Sequence, residues 1–187
     1  MAEIVLFHHA LGVTAGVRTF ADALRGGGHV VHLPDLFDGL TFGTVEDGVA
    51  HAGVVGEDVL AEQAAAYVDT LPAQIVYGGM SMGAARAAEG VLRRPGARAA
   101  FFLSGAVAPS WWDAMWPDDV PSQAHVAADD PWREPEAEDE YVSAVAGGEL
   151  FVYPGSGHLF AEPGHPDHDA EAAALATARV LELLGTL

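Results

Sequence analysis

Short apolar runs alternate with longer stretches of helical periodicity along this chain. Ile4-Val5-Leu6-Phe7 predicts a buried strand, and Thr14 to Leu24 a helix that Gly26-Gly27-Gly28 stops. Val30 to Leu33 is the next strand, ended by Pro34-Asp35, and a Gly- and Asp-rich loop follows to about Val49. A helix is expected over Glu57 to Leu71, with Val59, Leu60, Gln63, Ala64, Tyr67 and Val68 near one face. Gln74 to Tyr77 is a strand that runs into Gly78-Gly79-Met80-Ser81-Met82-Gly83, and Ala84 to Arg93 is a helix of small residues. Strands over Ala99 to Leu103, Gln123 to Ala128 and Leu150 to Tyr153 complete the series. Asp169 caps a final helix in which Leu175, Ala178, Leu181 and Leu184 share a face. The acidic stretch Asp129 to Glu140 reads as a solvated loop or short helix.

Six strands with helices between most of them imply a mostly parallel sheet covered on both faces, with right-handed crossovers. The length of 187 residues suits a single α/β domain, 1–187, and the half of the residues that are apolar supply its core. No internal repeat is visible.

Charge and composition narrow the function classes. Eight basic against 27 acidic side chains give a formal charge of −19, a surface that repels nucleic acid phosphates and anionic lipid heads. Cysteine is absent, which excludes disulfides, a thiolate nucleophile and thiolate metal sites. No targeting segment or membrane-spanning run is read at the start or elsewhere. The expectation is a soluble cytoplasmic protein, a monomer or homodimer, with no nucleic acid or membrane partner.

The strongest chemical signal is Gly79-Met80-Ser81-Met82-Gly83, a G-x-S-x-G pentapeptide directly after a strand and directly before a helix. That context is a nucleophile elbow: the glycines permit a tight turn that lifts the serine hydroxyl above the sheet. The helix N-terminus aims free N–H groups at a developing oxyanion. A Gly-rich turn with an ordinary serine, or a phosphate cradle, would share the pattern. A dinucleotide fingerprint does not fit, and no G-K-[ST] exists for a P-loop.

A serine needs a base, and the base an orienting acid, in the chain order serine, acid, histidine for this fold. His158 follows a strand and a Gly-Ser-Gly loop that can swing its imidazole over the sheet end. His125 is fixed within a strand, and His165 and His168 sit in a polar surface segment. Asp129 and Asp130 both end a strand at the carboxyl edge, where sites in parallel sheets lie. Asp130 is preferred because Pro131 biases it to an extended backbone.

Several stretches in order resemble the dienelactone hydrolase family of α/β-hydrolases: Leu6 to Gly12, His32 to Leu36, the elbow, His125 to Pro131, and Tyr153 to Phe160. The resemblance covers about Val5 to Leu184. It implies the α/β-hydrolase fold, here with a trimmed sheet edge. It also implies an acid at Asp130, a base at His158, and oxyanion donors at the backbone N–H groups of Met82 and Ala10. No cofactor is implied, and the His165-Pro166-Asp167-His168-Asp169 spacing matches no recognised metal site.

Three departures from the family pattern stand out. Ser81 replaces the elbow cysteine of the namesake enzymes, and His9 takes the place of a glutamate in the first loop. Ala161-Glu162 stands where an arginine helps hold the substrate carboxylate. Dienelactone itself is therefore not the expected substrate. His9, Leu11, Trp111 and Trp112 are expected to line the substrate pocket; a satellite core under a loop is the bland alternative for the tryptophans. The expected activity is cleavage of a small ester, lactone or thioester. A non-catalytic small-molecule binder and an acyltransferase are the alternatives.

Overall fold

The computed structural model describes residues 1–187 and contains six strands and six α-helices. The strands are β1 (Glu3–Phe7), β2 (Val30–His32), β3 (Ile75–Met80), β4 (Ala97–Leu103), β5 (Ser122–Ala127) and β6 (Gly148–Tyr153). The helices are α1 (Ala15–Gly26), α2 (Val45–Val55), α3 (Glu57–Val68), α4 (Met82–Arg93), α5 (Pro135–Ala144) and α6 (Ala170–Gly185). All strands pair in parallel, in the order β2-β1-β3-β4-β5-β6.

The alternation along β1 explains the layers. Ile4 and Leu6 join a core with Val17, Phe20 and Leu24 of α1 and Ala176 and Val180 of α6. Val5 and Phe7 face the other way, into a core built with Leu60 and Ala64 of α3, Ala87 and Val91 of α4, and Tyr141 of α5. Every residue of β3 is buried, as a central parallel strand requires. Successive strands are added outward on one side of β1 to β2 and then on its other side from β3 to β6, and the carboxyl edge at that switch between β1 and β3 is the crevice in which such sheets hold ligands.

The structure departs from the sequence expectations in three helices. Residues 45–55, read partly as loop, form α2, whose Thr44 side chain accepts a hydrogen bond from the Asp47 N–H. Only Val45 and Gly48 of α2 are buried, so no apolar stripe marks it. In α6 the buried face carries Ala172, Ala173, Ala176, Val180, Leu183 and Leu184, while Leu175 is exposed. The helix has two apolar stripes, and the alanine-rich one lies on the sheet because small residues allow close approach. In α3 only Leu60, Ala64 and Val68 of the expected face are buried, and Val59 is exposed. The Asp129–Glu140 stretch contains a turn followed by the start of α5, which Pro135 opens at a position where its missing N–H costs nothing.

Candidate active site

Ser81 sits between β3 and α4 with φ 50° and ψ −117°, a conformation that a non-glycine residue adopts only when its surroundings force it. The forcing groups are visible. The Ser81 N–H donates to the Leu103 carbonyl at 2.7 Å, tying the turn to β4. A Cβ on Gly79 would stand 2.2 Å from the Gly83 carbonyl oxygen, and one on Gly83 would stand 2.4 Å from that of Phe7. Both glycines are therefore dictated by backbone approaching backbone, and the turn folds only with hydrogen at these positions.

Three side chains distant in sequence meet at this edge. Ser81 Oγ lies 2.8 Å from His158 Nε2, and His158 Nδ1 lies 2.7 Å from Asp130 Oδ2. An Nδ1–H donated to the carboxylate leaves Nε2 as acceptor for the serine hydroxyl, so the network selects one tautomer. The second oxygen of Asp130 accepts the Trp132 N–H at 2.8 Å, so both oxygens of this buried carboxylate are used. Asp129 is exposed, and its N–H bonds the Gly155 carbonyl. Each side chain follows a strand: Ser81 after β3, Asp130 after β5, His158 after β6.

The backbone around Ser81 provides donors. The N–H of Met82, first residue of α4, and that of Ala10, in the loop after β1, have no internal acceptor. The Ala10 loop is held from two sides. A Cβ at Gly48 of α2 would fall 2.0 Å from the Ala10 carbonyl oxygen, so α2 lies directly on it. Beneath, His9 Nε2 meets Glu162 Oε2 at 2.5 Å and His9 Nδ1 accepts the Leu11 N–H. Thr14 also donates to Glu162. Burial pushes the Glu162 carboxyl up, but the hydrogen bonds and charge of His9 and the Thr14 bond outweigh it and hold it below the ordinary carboxylate range. Glu162, four residues after His158, thus ties the loop of His158 to the loop of Ala10.

A cavity of about 250 Å³ opens beside Ser81 and His158. Its walls include Met82, Ala106, Val107, Trp111 and Trp132, with Ser104 and Glu134 as further polar groups. Of the four expected pocket residues, Trp111 lines it and three do not. His9 is 1% exposed and spent on Glu162 and Leu11. Leu11 packs with Val45 and Leu159 in a small buried cluster. Trp112 turns its indole N–H to Glu89 of α4 at 2.9 Å. In a 3₁₀ turn at Pro109–Trp112, neighbouring side chains diverge, so only one of the two tryptophans reaches the site.

Ser104, Trp132 and Glu134 line this cavity and were not among the residues expected there. Ser104 is buried with φ 62°, just past the end of β4, and its N–H bonds the His125 carbonyl. The signal that finds it is the carboxyl end of a strand next to the elbow strand. Trp132 lies two residues after Asp130 and brings its ring within 5.8 Å of the His158 ring. His165 and His168, read as surface residues, are tied down instead. His165 accepts the Asp167 N–H, and His168 Nδ1 meets the Phe160 carbonyl.

The dienelactone hydrolase family model matches residues 1–187. The chain belongs to the dienelactone hydrolase family. This membership places it among the hydrolases. Solved structures share the fold over the whole chain at low identity. The dienelactone hydrolase-like promiscuous phosphotriesterase P91 from metagenomic libraries is 21% identical, with a TM-score of 0.79 over 100% of this chain and 87% of that one. A dienelactone hydrolase from Anabaena variabilis ATCC 29413 is 21% identical, with a TM-score of 0.67 over 99% and 86%. No curated protein matches the sequence. No helix is long and apolar enough to cross a membrane.

Proposed function

We propose that this family member is a serine hydrolase that cleaves a small carboxylic ester, thioester or lactone through an acyl-enzyme. The observation that carries the reading is the unbroken chain from Ser81 Oγ to His158 Nε2 at 2.8 Å and from His158 Nδ1 to Asp130 Oδ2 at 2.7 Å. Ser81 attacks the carbonyl carbon while His158 takes the hydroxyl proton. Asp130 holds the imidazole tautomer and stabilises its protonated form. The carbonyl oxygen becomes an oxyanion, received by the N–H groups of Met82 and Ala10, with the α4 dipole adding favourable potential.

His158 then gives its proton to the leaving alkoxide or thiolate. Water enters, His158 removes its proton, and the acid leaves as Ser81 recovers its own. A cavity of about 250 Å³ suits a short acyl chain or small ring, and its largely apolar wall suits a substrate without a carboxylate.

The test is turnover of neutral p-nitrophenyl esters, thioesters and lactones by the wild type and by Ser81→Ala in parallel. Loss of roughly three orders of magnitude or more in kcat in the variant is expected. Equal turnover by both proteins rules out Ser81 as nucleophile. Tight binding without turnover in the wild type favours a binding protein on a hydrolase fold, and product formation only with an added alcohol favours acyl transfer.

A further inference from the structure

The cavity beside Ser81 carries one carboxylate and no cation. Glu134 stands at its wall, and although it occupies the N-cap of α5 its side chain makes no capping hydrogen bond. Two indoles share the same cavity and remain partly open to it, Trp111 at 48% and Trp132 at 42% exposure. The eight basic residues of the protein are all arginines, and none lines this cavity. Arg133, beside it in sequence, gives its guanidinium to Glu138 and to the Ala128 carbonyl. On the other side of Trp132 and His158 a second cleft of about 340 Å³ holds Glu46 and Asp167, again without a basic residue of the Lys or Arg type.

These features have one shared chemistry. An uncommitted carboxylate beside exposed indoles attracts a desolvated ammonium by charge and by the negative face of the aromatic ring. The formal charge of −19 adds a field that draws cations and repels anions at the mouth of the site. A carboxylate-bearing substrate would meet Glu134 with nothing to neutralise it. We propose that the Ser81 cavity selects esters or thioesters that carry an ammonium group, held by Glu134 with Trp111 and Trp132. This inference rests on the hydrolytic reading of Ser81 for its reaction, and on Glu134 and the tryptophans for its selectivity.

The experiment compares three thioesters: acetylthiocholine, its uncharged tert-butyl isostere and a carboxylate-bearing counterpart. A second series carries the same three charges on the acyl side of p-nitrophenyl esters. Each is assayed with wild type and Glu134→Gln at low and high salt. Ratios within one protein are read, so a general loss of activity cancels. In at least one series kcat/KM should fall in the order cation, neutral, anion, with the first two differing about tenfold at low salt. Salt should shrink that ratio, and Glu134→Gln should bring it close to unity. A ratio of one or less in both series overturns the proposal, as does a preference that Glu134→Gln leaves intact.

Absence of turnover in every ester, with no fluorophosphonate adduct on Ser81, would remove the hydrolytic reading instead. The cation site is then read alone, by quenching of tryptophan fluorescence with benzyltrimethylammonium. Saturable quenching weakened in Glu134→Gln sustains the site, and its absence overturns it.

Discussion

The carboxylate of Glu162 meets the imidazole of His9 at 2.5 Å in a buried pair that joins residues 153 positions apart. One loop carries Ala10 and the other carries His158, so this contact fixes a proposed oxyanion donor relative to the proposed base. Gly16 makes room for it: a Cβ there would lie 2.5 Å from the Glu162 carboxyl carbon.

Glu162→Gln should therefore act as a change in a positioning residue. We expect a stability loss of about 1–3 kcal/mol, the scale of hydrogen bonds to a charged group, and a drop in kcat larger than any change in KM. The pH dependence gives a separate reading. The folded pKa of Glu162 lies below its ordinary value of 4.5, so its stabilisation is complete above that value and is lost as pH falls through the folded pKa. The gap in Tm between wild type and variant should narrow on acidification below about pH 4.5. A gap that stays constant to pH 3 contradicts this role.

His125 predicts a different pH window. Burial first, and the charge of Arg179 second, lower its pKa from 6.5 to about 3. Its Nδ1 meets the Tyr153 hydroxyl at 2.8 Å and its Nε2 is buried without a partner. Between these pKa values the unfolded chain binds a proton that the folded chain refuses, so stability falls as pH drops from about 6.5 toward 3. His125→Phe keeps the stack on Phe151 and removes the titration. Tm should decline less steeply in the variant than in the wild type over that window; parallel curves would show that His125 titrates normally.

Asp130 and Asp129 are neighbours with opposite surroundings, one buried against His158 and the other exposed. Asp130→Asn should lower kcat by roughly 10³-fold or more, because the amide no longer holds the productive imidazole tautomer. Asp129→Asn should stay within about twofold, as surface substitutions away from a site do. Similar losses in the two variants would contradict the assignment.

The elbow is a steric prediction as well. Gly83→Ala places a methyl 2.4 Å from the Phe7 carbonyl oxygen and 2.7 Å from that of His8, both backbone atoms of β1 and the loop after it. The expected result is a loss of several kcal/mol, measured by urea unfolding. Wild-type stability in this variant would mean that β1 and α4 are not packed as described.

Much of this arrangement was legible in the residues, and the exceptions have physical causes. The strands were readable because a parallel sheet covered on both faces leaves continuous apolar runs such as Ile4 to Phe7. The meeting of Ser81, Asp130 and His158 at one edge was readable because each follows such a run at the carboxyl end of a strand. The pocket wall was not. His9 and Leu11 are adjacent to the site in sequence, but Glu162 and Val45 draw them into the interior. Trp132 and Glu134 sit in an acidic stretch that patterning reads as solvated surface, and only the turn after Asp130 brings them to the cavity. The α2 helix hid behind Gly48 and Gly53, although Thr44 followed by Asp47 is the start signal that would have found it.

The account stands on Ser81 forming a covalent intermediate, and intact-protein mass spectrometry after fluorophosphonate treatment tests this most directly. The prediction is a single adduct that peptide mapping assigns to Ser81, absent in Ser81→Ala and formed far more slowly in Asp130→Asn. An adduct of equal yield in Ser81→Ala, or none in an active wild-type enzyme, would contradict it.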